Sequence, residues 1–191
     1  MSMVMTAAPA VEPVTLAEAK AHLRVDGNAE DAYISSLVVT SRLQIEAALG
    51  LALMPQSWRL TIDAWPHGDA LELPIRPVQQ IRSIEVTHAI GVATTVSPSS
   101  YLLDGHGLPA RLVLTTLSPP LPEVPADGIA IEMIAGFGPA ASDVPQPIRH
   151  ALLLLVAHWF ECREPTSTGK PATGIPDAVN ALLAPFRVVR L

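Results

Sequence analysis

The 191-residue sequence predicts an α+β chain in which a mostly antiparallel β-domain is inserted between helices. Two observations carry the prediction. Thirteen of the nineteen prolines fall between Pro55 and Pro147, and proline removes a backbone donor and breaks long helices. Apolar residues recur at three- and four-residue spacing before and after that stretch, but alternate or run in short blocks within it. Hydrophobic residues make up 49% of the chain and charged residues 16%, enough for one domain with a sizeable insertion. With aromatics at 4%, aliphatic side chains and alanine fill most of the core. So little charge leaves apolar surface over, which in soluble proteins marks contacts with other chains.

Residues 1–14 read as an extended arm with no core of its own; an ordered arm of this kind is held by a partner. Residues 15–56 carry two helices. Thr15 and Glu18 form a capping box that opens TLAEAKAHLR, which ends near Val25 where Asp26-Gly27 breaks it. A longer helix runs from about Ala29 to Leu49 and stops at Gly50. Ile34, Leu37, Val38, Ser41, Ile45, Ala48 and Leu49 form its buried stripe, while Val39 and Leu43 lie off the stripe and suit a second contact. Residues 57–144 are β-rich. Their strand-like runs are SWRLTID, QIRSIEVTH, GVATTV, ARLVLTT and GIAIEMIAG, separated by turn signals and by the proline-rich loop LSPPLPEVPADG. Residues 145–164 form a core helix with Ile148, Ala151, Leu152, Leu155, Trp159 and Cys162 on one stripe. Leu153, Leu154, Val156 and Phe160 cover its other sides, as in a helix central to a core or wedged between subunits. Residues 165–191 comprise the end of a flexible linker (EPTSTGKPATG), a short helix at about Asp177–Leu183 and the tail FRVVRL.

Charge narrows the function classes. Asp and Glu outnumber Lys and Arg 6 to 3 over Met1–Gln56 and 9 to 4 over Ser57–Pro145, whereas Gln146–Leu191 reverses to 3 against 5. An acidic body with a mildly basic tail lacks the clustered cations that neutralise phosphates in a nucleic-acid interface. A single cysteine, Cys162, allows no internal disulfide and points to intracellular synthesis. The most apolar run, Ala151–Phe160, is half the roughly 20 residues a bilayer span needs, and the N-terminus lacks the basic start of a signal peptide.

Each motif that suggests chemistry fails on context. GIAIEMIAGFGPAA contains GxGxxA, but a dinucleotide turn needs a helix N-terminus directly behind the glycines, and SDVPQP intervenes. STGKP has Pro171 where a phosphate-binding loop needs Ser or Thr, and Glu164 where it needs glycine. His158 and Cys162 stand four apart on one helix, yet two ligands are too few for a structural zinc site; buried packing is their expected role. Asp104 and His106 form a polar turn, with no GxSxG elbow to support a hydrolase. Trp58, Trp65 and Trp159 are expected as core or interface anchors. No catalytic, cofactor or metal residue is assigned.

The order PVTLAEAKAHLRV, Trp58 in a strand, LPIRPVQQIRSIEV, AGFG, VPQPIRHALLLLVAHWFECRE and IPDAVNALLAPFRVVRL resembles the head–tail connector (adaptor) family of long-tailed phages and gene transfer agents, from Pro13 to Leu191. The resemblance implies a helical bundle decorated by a β-rich insertion. It implies no enzyme and no cofactor, but a structural subunit, synthesised in the bacterial host cytoplasm, that forms a dodecameric ring at the neck. The implied partners are other copies of the chain, the portal, and a stopper or tail-terminator ring, with DNA only as passing cargo and no membrane. On this reading the candidate assembly residues are Val39, Leu43, Leu154, Trp159, Phe160, Phe186, Arg187, Arg190 and Leu191. Phe186–Leu191 would dock on the portal, with Arg187 and Arg190 pairing to acidic groups there. The competing readings are another neck or tail-terminator ring, and a small hydrolase near Asp104, His106 or His158.

Overall fold

Helix-forming and strand-forming segments separate in space as they do along the chain. The structure, a computed structural model, describes residues 1–68, 70–89, 91–115, 119–162 and 175–187. It divides into two units, Met1–Ala10 with Gly50–Phe137, and Val11–Leu49 with Gly138–Leu191.

The second unit is helical and contains α1 (Leu16–Leu23), α2 (Asp31–Leu49), α3 (Gln146–Glu161) and α4 (Asp177–Leu183). The capping box forms: Thr15 Oγ1 accepts from Glu18 N, and Glu18 Oε2 accepts from Thr15 N at 2.8 Å. Helix α1 ends where Arg24 turns left-handed (φ 57°) and Val25 N donates back to Lys20 O. Gly50, at φ 63°, follows α2, a backbone conformation glycine adopts without strain. Ile34, Leu37, Val38, Ser41, Ile45 and Leu49 are buried as expected. Ala48 is exposed instead, and Arg42 and Glu46 take burial on the flank of the stripe. Helix α3 buries one face, Ile148, Ala151, Leu152, Leu155 and Val156. Its remaining apolar residues, Trp159 among them, are only half-buried. Cys162, expected to be buried with His158, is exposed, because it caps the helix beyond its last turn.

The first unit holds two antiparallel sheets. Strands β1 (Ser2–Ala7), β2 (Gln56–Ile62), β4 (Val78–Thr87), β5 (Ala93–Thr95) and β8 (Ile129–Ala135) form a five-stranded sheet of order β1-β2-β8-β4-β5. Strands β3 (Ala70–Leu73), β6 (Tyr101–Asp104) and β7 (Ala110–Leu114) form a second sheet of order β3-β7-β6. The partner of the N-terminal arm is therefore internal: β1 pairs antiparallel with β2, Val4 opposite Arg59 and Ser2 opposite Thr61. The β-unit also begins earlier than residue 57. Ala52 N donates to Arg76 O, Arg76 N to Gly50 O and Phe137 N to Leu53 O, so the chain from Gly50 onward is tied into it.

Alternation organises the core. Ile129, Ile131, Met133 and Ala135 of β8 face inward between Leu60 and Ile62 of β2 and Ile81, Ile84 and Val86 of β4. Leu71, Leu73, Ala110 and Leu112 of the smaller sheet join the same core; each fully buried Leu or Ile contributes roughly 1.5–3 kcal/mol. Glycine is needed where elements approach closely. Gly136 adopts φ 146° at the end of β8, and a Cβ there would lie 2.5 Å from the Met54 carbonyl carbon. The described part of the proline-rich loop, residues 119–128, has no regular structure, but it is fastened by Trp65 Nε1 donating to Pro120 O, Glu123 N to Thr87 O and Asp127 N to Asp63 Oδ1.

Candidate assembly surfaces

The described candidate residues all belong to the helical unit. Val39 and Leu43, one turn apart on α2, are 36% and 46% exposed. Leu154, Trp159 and Phe160 on α3 are half-buried. Trp159 and Phe160 come together with Tyr33 of α2: the Tyr33 hydroxyl donates to Trp159 O at 3.3 Å, and the Tyr33 and Phe160 rings stand 6.1 Å apart. Phe160 is thus covered in part within its own chain. Phe186 is half-buried and Arg187 exposed, just after α4. Arg187 Nη2 donates to Asn180 Oδ1 at 2.8 Å, so its guanidinium has an internal partner as well as an open side. Arg190, Leu191 and the linker motif at Gly169–Pro171 lie outside the described residues.

Two arginines that the sequence did not single out organise the strand-to-helix passage at Glu12–Thr15. Arg42 Nε donates to Glu12 Oε2 at 2.7 Å and Arg42 Nη1 to Glu46 Oε2 at 2.7 Å. The Arg42 side chain is only 4% exposed and that of Glu46 9%. Burial opposes the charged guanidinium, but its hydrogen bond to Glu12 and the charges of Glu46 and Glu12 outweigh it and raise the Arg42 pKa further. Arg149 of α3 reaches across to Pro13 O at 3.0 Å and to Glu18 Oε1 at 2.5 Å. The Glu18 carboxyl sits below its usual range, chiefly because it accepts the Thr15 backbone N–H, with the Thr15 hydroxyl and Arg149 adding to the effect against partial burial. The i,i+4 spacing of Arg42 and Glu46 was visible in the sequence, and their place beside Ser41 and Ile45 was the signal that they turn inward.

The β-unit offers one row that resembles catalytic machinery. His88 Nε2 lies 3.0 Å from Thr94 Oγ1, and its Nδ1 lies 3.8 Å from Glu123 Oε1. A base must be within hydrogen-bond reach of its nucleophile and be oriented by a third group. Here the carboxylate is beyond that reach, its other oxygen accepts Ala89 N, and Thr94 lies on the exposed edge strand β5. The row fastens the proline-rich loop to the β4–β5 hairpin. Asp104, the other carboxylate considered, accepts from Arg111 Nη2 at 3.0 Å. Among the described residues no group of three His, Cys, Asp or Glu side chains is placed to hold a metal, and no helix is long and apolar enough to cross a membrane.

Residues 13–89 match the family described as phage gp6-like head-tail connector proteins. No curated protein matches the chain. Solved structures are similar over all of it and over 97% of their own chains, at 28% identity. They include the neck of an empty gene transfer agent (GTA) particle computed with C6 symmetry (TM-score 0.86) and the neck of a native GTA particle computed with C12 symmetry (0.83). The virion of a native GTA particle matches likewise, with a TM-score of 0.85. Fold and sequence thus define a class: the chain is a structural connector protein, similar over residues 13–89 to the head-tail connector family and over its whole length to chains of particle necks. More narrowly, its α+β fold is that of a neck chain of gene transfer agent particles, matched from end to end.

Proposed function

We propose that this chain is a non-catalytic ring subunit of a particle neck, placed between the portal and a stopper or tail-terminator ring, that leaves an open channel for DNA. The observation that carries the reading is the whole-length similarity to chains in neck structures with C6 and C12 symmetry. Twelve copies in a closed ring fit the C12 case. A ring requires head-to-tail contact between two different faces of each subunit, closing when the rotation per copy divides a full turn. The net charge of −6 suits a passage along which phosphates slide without binding.

The C-terminal residues Phe186–Leu191 are the proposed contact with the portal. Arg187 is exposed and Phe186 half-buried immediately after α4, so a short apolar-basic tail begins at a folded edge. Exposed ion pairs contribute at most about 1 kcal/mol each, and burial of Phe186 and Leu191 on the partner outweighs them. Particles carrying a chain that lacks residues 186–191 are expected to yield filled heads without attached tails in electron micrographs. Normal head–tail joining by the truncated chain would overturn the docking assignment.

A further inference from the structure

We infer that the outward face of α2 is a contact between neighbouring copies of this chain; the inference rests on the ring reading above. Solvent-facing helices ordinarily carry charge on their exposed side. Helix α2 has 19 residues, and its only charged residues are Asp31 in the first turn, Arg42 and Glu46. Arg42 and Glu46 are turned inward, where Arg42 pairs with both Glu46 and Glu12. From Ala32 to Ala48 every exposed residue is uncharged, with Val39 and Leu43 at its centre.

Two of the polar groups on this face, beside Val39 and Leu43, are also satisfied from within. Ser36 Oγ donates to Tyr33 O at 2.7 Å and Thr40 Oγ1 donates to Ser36 O at 2.8 Å. Hydroxyls bonded to their own helix need no water, so the stretch around Val39 can be buried without leaving the Ser36 and Thr40 donors unpaired, while Gln44 at its edge keeps an amide for a partner or solvent. Small side chains flanking a Val–Leu pair allow a neighbouring element to approach closely. At 1.5 Å per residue the strip is about 25 Å long and about 10 Å wide, or roughly 250 Å². A stable pair of proteins buries about 800 Å² on each partner. This strip is too small to hold a free dimer, but it suits one stripe of a ring contact, where each subunit is held from two sides. The symmetric neck structures that match the whole chain supply the occupant, a second copy, and the uncharged surface offers no electrostatic handle for DNA or for a basic or acidic partner.

The test introduces p-benzoylphenylalanine at Leu43 in full-length chain assembled into particles. Irradiation is expected to give dimers and higher multiples of this chain. Crosslinks to a different polypeptide, or none, would overturn the inference. In parallel, Leu43→Glu is expected to abolish rings with an unchanged melting temperature, and Leu102→Glu, at an exposed β6 position, to leave them intact; Leu43→Ala, which adds no charge, replaces Leu43→Glu should that variant fail to fold and is expected to reduce ring occupancy. Intact rings with Leu43→Glu, or with Leu43→Ala in its place, sink the inference and leave the connector reading standing. A wild-type particle with no ring of this chain sinks both.

Discussion

Replacing Arg42 by alanine tests how the helical unit is held. Arg42 bridges Glu12 and Glu46 through two 2.7 Å contacts, with its side chain 4% exposed and that of Glu46 9%. Removing the guanidinium takes from Glu46 its 2.7 Å ion pair in a site water scarcely reaches. Breaking a buried pair from one side costs about 3–5 kcal/mol, whereas replacing both partners with apolar residues of similar volume is near neutral or stabilising. Arg42→Ala should therefore lower the stability of the helical unit by about 3–5 kcal/mol. Arg42→Met combined with Glu46→Leu should fall within about 1 kcal/mol of wild type, because Glu12, 26% exposed, can turn to water. At about 2–4 °C per kcal/mol for a chain of this size, the single variant melts about 6–20 °C lower. Urea unfolding followed by circular dichroism at 222 nm reports chiefly the helices. A loss below about 1 kcal/mol for Arg42→Ala, or a double variant as unstable as the single one, would show that the cluster is solvated and the argument wrong.

Two further predictions concern local structure. Thr15→Ala removes the cap of α1 and should cost about 1 kcal/mol. Because the folded Glu18 pKa is lowered, its contribution is full above the ordinary carboxylate pKa and is lost as pH falls through the folded value. Thr15→Ala keeps the backbone N–H that chiefly lowers the Glu18 pKa, so it should flatten the acid limb of the stability–pH curve below about pH 4.5 only in part. Glu18→Gln should remove the Glu18 contribution to that limb altogether, measured by urea melts from pH 7 to pH 3; an unchanged limb in Glu18→Gln would contradict the capping account. Gly136→Ala forces a Cβ to within 2.6 Å of the Met54 carbonyl oxygen and the Pro55 nitrogen at φ 146°. Backbone strain of this kind costs of order 1–3 kcal/mol before the clash is added. Thermal melts should fall well below wild type, and a neutral effect would mean that the β8 turn relaxes freely.

The helices were legible because their ends carry chemistry: the Thr15–Glu18 box, Gly50, and Pro176 ahead of Asp177. The longer strands were legible through alternation, as in Ile129–Ala135. Strands β1, β3 and β6 were not. Ser2–Ala7 is an edge strand with two methionines and no alternation, only Met3 being drawn toward the core, and Ala70–Leu73 and Tyr101–Asp104 have four residues each, too few to show a period. What reveals them is pairing across the sheet, which no local pattern encodes. The same holds for the candidate surfaces. Val39 and Leu43 stood off the helical stripe and are exposed, whereas Phe160, placed by the sequence on a second side of its helix, meets Tyr33, more than a hundred residues away. Arg42 and Glu46 carried a signal in their place beside Ser41 and Ile45, but their third partner, Glu12, comes from thirty residues away and no local pattern shows it.

The most direct measurement of the connector account is electron cryo-microscopy of particles in which this chain carries a compact C-terminal tag or bound antibody fragment. The account predicts one ring of twelve labelled copies in the neck, next to the portal and surrounding an open channel. Label confined to the capsid shell or the tail tube, or particles whose neck is complete without this chain, would contradict it.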